Sequence, residues 1–238
     1  MLGAALHAGP IITDASGFAD VDCPPGPGCT RGISGSPPVS DSFLAPLYSE
    51  FSGVQDLIPM VYTTVAIQPD STWEAQASAR LDYSFEFTGP QTMLPIDIVG
   101  IIQTTGTESP FSSAEWYAQA SLQVDHTVVL ASCNEAINAN ICGSTPILDG
   151  YFYQMMIPVN TQHAITMEAN VNAPPGSSAT ASIDPYIYID PSFGETSAFT
   201  LFLSDGVGNS PVPEPSTIGL VAAGIGSLLC RKRPRLIS

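Results

Sequence analysis

Two of the three histidines, a set of carboxylates late in the sequence and two close cysteine pairs are the residues here whose types could do chemistry. His126 and His163 both fall on the apolar phase of alternating stretches, so each is expected packed and hydrogen-bonded within a sheet. Asp125, next to His126, would point to the opposite face of such a strand and could not orient it. No G-x-S-x-G, H-E-x-x-H, P-loop or dinucleotide fingerprint is present. With 21 acids before Val212 a glycosidase-like carboxylate pair is conceivable, but only generically. The expectation is therefore a non-catalytic protein with no catalytic residues. Asp184, Asp190, Glu195 and Asp205 fall in expected turns around the last two strands. Oxygen ligands on loops suit Ca²⁺, so these four are the candidate metal set, with solvated turn carboxylates as the alternative and no EF-hand loop to support it. A structural Ca²⁺ is the only cofactor that comes into question.

Cys23 and Cys29 enclose CPPGPGC, and Cys133 and Cys142 enclose CNEAINANIC. Each pair brackets turn-forming residues, which reads as two local disulfides made in an oxidising compartment. Four cysteines allow three pairings, and proximity favours this one. Zinc is the competing reading, but neither pair has the close spacing of a zinc knuckle and no histidine lies near either. Among the aromatics, Trp73, Trp116, Tyr117, Tyr151 and Tyr153 could offer rings to a sugar. Tyr186 and Tyr188 alternate with Ile187 and Ile189, so they should face away from the apolar side.

The elements that must carry these residues are strands. In AQASARLDYSFEFT, Ala77, Ala79, Leu81, Tyr83, Phe85 and Phe87 alternate with polar residues, the period of a half-buried strand. The same rhythm runs through 116–130 and 163–171, on Ile183, Ile187 and Ile189, and on Phe199, Leu201 and Leu203. Strands are also expected over 60–67, 94–104 and 151–159. About eight strands without intervening helices predict an all-β, antiparallel β-sandwich, jelly-roll-like, over residues 57–207. Residues 9–56, with their Pro/Gly/Ser-rich stretch over 20–46, read as an extended arm. Residues 1–8 read as the remnant of a signal peptide, with LHA before Gly9 resembling a cleavage site.

Charge divides the chain sharply. Of 238 residues only 6 are basic and 22 acidic, for a net charge of −16. Arg31 and Arg80 are the only basic residues before Val212, leaving that part at −19. Such a body repels phosphates, which excludes nucleic acid as a partner. The other four basic residues, Arg231, Lys232, Arg233 and Arg235, follow the uncharged run 216–230 directly. As a helix that run would extend roughly 22 Å, short of a bilayer core of about 30 Å. The basic cluster nonetheless predicts a single short C-terminal transmembrane helix, with the arginines inside and the body outside.

VPEPST, a short apolar helix and an Arg-rich end, in that order over 208–238, closely resemble the PEP-CTERM sorting signal. On that resemblance Val212, Pro213, Glu214, Pro215 and Ser216 are the sorting motif, and Arg231, Lys232, Arg233 and Arg235 the basic stop. Pro234 interrupts the cluster, a departure of little consequence to a stop based on charge. The resemblance implies export through the inner membrane of a Gram-negative bacterium and recognition by an exosortase that cuts near Pro-Glu-Pro. It also implies a place in the cell envelope or extracellular matrix, in a family associated with exopolysaccharide and biofilm. The expected role is a structural or adhesive component, with glycan binding as the alternative and a secreted hydrolase a more distant one.

Overall fold

The computed structural model describes residues 14–22, 30–45, 48–55, 59–71, 74–107, 116–135, 152–205 and 207–209. Among them are thirteen strands, all paired antiparallel: β1 Ser16–Asp22, β2 Thr30–Gly35, β3 Val39–Ala45, β4 Tyr48–Gln55, β5 Met60–Ile67, β6 Ala75–Thr88, β7 Met93–Thr107, β8 Tyr117–Val124, β9 Thr127–Glu135, β10 Phe152–Pro158, β11 His163–Ala173, β12 Ser178–Ile189 and β13 Thr200–Leu203. Besides strands the described residues hold a three-residue 3₁₀ turn, Thr196–Ala198, and no helix long and apolar enough to cross a membrane. The expected transmembrane helix and sorting motif lie outside the described residues, as do residues 1–8.

The strands form two sheets, β2-β1-β6-β11-β8-β9 and β10-β7-β12-β5-β4-β3, with β13 added to β6. From β5 to β12 the chain alternates between the sheets, except at the β8–β9 hairpin, and stacks β5-β12-β7-β10 over β6-β11-β8-β9. That is the winding of a jelly roll, in which chain neighbours mostly face each other across the core. The core follows from period two. Along β6 the residues Ala75, Ala77, Ala79, Leu81, Tyr83, Phe85 and Phe87 point inward and are buried. Across from β6 the other sheet supplies Val61 and Val65 of β5 and Val54 of β4, and the same core continues through Leu94, Ile96 and Ile98 of β7 and Ile183 and Ile187 of β12. Each fully buried Leu or Ile contributes about 1.5–3 kcal/mol.

Two expectations change. Within 9–56, expected as an extended arm, the described residues carry β1 to β4, which extend both sheets. In β1 the inward positions are Ala19 and Val21, paired through Ala19↔Ala79 and Val21↔Ala77 with β6. Small residues and prolines nearby mute the alternation, and pairing with an existing sheet overrides the composition. Residues 116–130 are not one strand but the hairpin β8–β9. Its two-residue turn is Asp125–His126, with φ of 47° and 66°, the left-handed pair of a tight hairpin. The turn and an irregularity at Leu122/Gln123 shift the phase, so Val129 and Ala131 are buried while His126 and Val128 are exposed.

Candidate functional site

The outward face of β12 presents Asp184, Tyr186 and Tyr188 in succession, since residues two apart share a face of a strand. Inward, Ile183, Pro185 and Ile187 are buried. The two tyrosine rings lie 5.5 Å apart at 31° to each other. Beside them opens a cleft of about 500 Å³, walled by Phe87, Phe199, Leu201 and Pro191 as well as the tyrosines.

Neighbouring strands add polar groups by register. Tyr188 is opposite Asp97 of β7, which in turn is opposite Gln154 of β10. Asp97 is only 3% exposed although it faces outward. The Gln154 amide donates to Asp97 Oδ1 at 3.1 Å and to Asp190 Oδ2 at 2.7 Å, bridging two carboxylates with one NH₂. Asp190 Oδ1 also accepts the Ser192 N–H at 2.7 Å, and this bond holds its carboxyl below the usual range. Burial, aided by the charges of Asp97 and Asp190, keeps the Tyr188 hydroxyl above its usual range. Burial alone pushes the Asp184 carboxyl up to about 6. The face is thus two aromatic rings flanked by carboxylates. In the whole body only Arg31 and Arg80 could counter them. Arg80 lies on the other sheet and is itself engaged by Asp82 at 2.7 Å and Glu168 at 2.6 Å.

Residues 204 and 209 are fastened beside this face. Ser204 accepts the Ser84 N–H at 2.8 Å, continuing the β13–β6 ladder. The Asn209 side chain accepts the Ile187 N–H at 3.0 Å and donates to the Ile187 carbonyl at 2.7 Å. β5 pairs β12 only as far as Ile183↔Val61, so the amide takes the place of a strand partner beyond it. Asn209 also lines the cleft.

The expected site residues fare differently. His163 is buried and hydrogen-bonded, its Nδ1 2.6 Å from Asp125 Oδ2 and its Nε2 donating to the Pro158 carbonyl at 3.0 Å. Its ring also lies against Phe85. Since the carbonyl can only accept, Nε2 is committed to it. His126 sits exposed in the turn instead of on an apolar face. The four candidate metal ligands are not brought together. Asp184 lies within β12, Asp190 is held by Gln154 and Ser192, Glu195 accepts from Gln91 at 3.0 Å, and Asp205 is exposed. Among the described residues no group of three or more His, Cys, Asp or Glu could hold a metal ion. Cys133 is disulfide-bonded, while Cys23, Cys29 and Cys142 lie outside the described residues, as do Trp73 and Tyr151. Trp116 cannot stack on a sugar, being 6% exposed and packed on Gly106. Sequence reasoning missed Asp97, Gln154, Asn209 and the role of Asp125. The one usable signal was Asp97 as the lone charge in the apolar run MLPIDIVGII.

Fold and site together define an antiparallel sandwich that presents an acidic aromatic face beside the point where Asn209 is fastened. Residues 211–233, just beyond Asn209, match a family model described as the PEP-CTERM protein-sorting motif. The chain therefore carries the signal of an exported protein processed by exosortase. No curated protein and no solved structure matches it.

Proposed function

We propose that this chain is a non-catalytic adhesive component of the cell surface or matrix, whose body holds polysaccharide on the Tyr186–Tyr188 face. In this reading exosortase removes the tail near Pro-Glu-Pro after the short helix 216–230 has engaged the inner membrane of a Gram-negative cell. Disulfides Cys23–Cys29 and Cys133–Cys142 form after export. The observation that favours glycan binding over a purely structural role is the pair of tilted, half-exposed tyrosines on the rim of a 500 Å³ cleft. Aromatic rings give sugar rings an apolar face to stack on, and the Gln154 and Asp190 groups offer hydroxyl partners around them.

Two experiments test this. A glycan array probed with the folded full chain should give hits that Tyr188→Ala abolishes; no hit at all would count against glycan binding. Expression in a host with and without exosortase, followed by mass spectrometry, should find a new C-terminus within 212–216 only when the enzyme is present.

A further inference from the structure

Resting on that reading, we infer that the glycan is one bearing free amino groups, a cationic chain and not a neutral or acidic one. The rings of Tyr186 and Tyr188 lie in sequence between Asp184 of β12 and Asp190 just past its end, and buried Asp97 sits beside Tyr188. Ring faces carry negative potential, so an ammonium seated between them and a carboxylate is attracted by both. A polymer of uronates or sulfated sugars would meet the carboxylates of Asp184 and Asp190 here, with the buried Asp97 behind them. No described cation on this face could pair with it, because Arg80 lies on the opposite sheet bound to Asp82 and Glu168. A neutral chain could stack but would leave the carboxylates without a charge partner. The net −19 of the body works in the same direction at longer range, drawing a polycation toward the protein. The ring spacing of 5.5 Å lets successive sugar units of one chain occupy successive tyrosines.

The test is calorimetric titration of the full chain with three hexasaccharides: a glucosamine hexamer, its fully N-acetylated counterpart and a galacturonate hexamer. The amino hexamer should bind at least about tenfold more tightly than the N-acetylated one, with an advantage that shrinks as salt rises. Asp190→Asn and Asp184→Asn should each weaken binding of the amino hexamer more than that of the N-acetylated one, so that much of that advantage is lost. Asp70→Asn, in the turn after β5 at the Ser177 end of β12, should leave both unchanged although it removes the same charge. Unfolding curves of each variant separate lost binding from lost folding. Equal binding of the amino and N-acetylated hexamers, stronger binding of the galacturonate, or an equal effect of Asp70→Asn would overturn the inference while leaving glycan binding standing. If no hexamer binds, both readings fall.

Discussion

The Asp125 carboxylate holds two groups of β11 at once: Oδ2 lies 2.6 Å from His163 Nδ1 and Oδ1 accepts the Ala164 N–H at 2.9 Å. The Asp125 N–H returns a bond to the Ala164 carbonyl at 2.9 Å. A turn residue thus secures a buried imidazole 38 positions away. Asp125→Ala should cost about 2 kcal/mol or more, from an unpartnered buried His163 nitrogen and from alanine at φ 47°. Asp125→Asn tolerates that φ but offers one acceptor where two are used, so its cost should fall between alanine and wild type. Urea unfolding of the two variants checks the order.

The Asp184 carboxyl predicts a pH dependence. Its folded value, about 6, is raised above 3.8 by burial, so the folded chain binds this proton more tightly than the unfolded one. The resulting stabilisation is complete below 3.8 and is lost as pH rises through 6. Because the side chain keeps part of its hydration, the cost above pH 6 is about 1 kcal/mol. Asp184→Asn should recover that much at pH 7 and flatten the stability curve across this window, as read by thermal melts at several pH values.

Gly106 lies against the Trp116 ring, where an added Cβ would stand 2.3 Å from its nearest ring atom. Trp116 is buried, so its ring cannot give way into solvent without uncovering the core. Gly106→Ala should therefore cost about 1–3 kcal/mol by overpacking. A red shift of tryptophan emission with the loss of stability would locate the strain at this ring, and an unchanged melting curve would contradict it.

Asn209→Ala removes both bonds to Ile187 and should raise exchange at the Ile187 amide by about tenfold, the worth of one net hydrogen bond. Asn209→Asp keeps the acceptor but turns a carboxylate oxygen toward the Ile187 carbonyl, so it should exchange faster still. Hydrogen exchange followed by mass spectrometry on peptides covering β12 reads both.

What the sequence disclosed about this fold was the part governed by period two. β6, β11 and the inward face of β12 were legible because large apolar residues alternate with polar ones over nine or more positions. The same rule placed Tyr186 and Tyr188 outward. It failed for β1, whose inward residues are Ala, Gly and Val and leave too little contrast. It failed again at Asp125–His126, where a two-residue turn interrupts the alternation without a glycine to announce it. The partners of the site were hidden for a different reason. Asp97, Gln154 and Asn209 gain their roles from registers spanning 22 to 91 positions, and no local pattern encodes which strand will lie beside which.

The fastening of residues 200–209 has a mechanical consequence. β13 is bonded to β6 of one sheet, while Asn209 grips Ile187 of the other. A pull applied to the chain beyond residue 209 is therefore delivered to both layers before any core side chain is uncovered. Tension that would peel a sandwich open through a single strand is here divided across its seam, so the body can bear load from its tail while its sheets stay together.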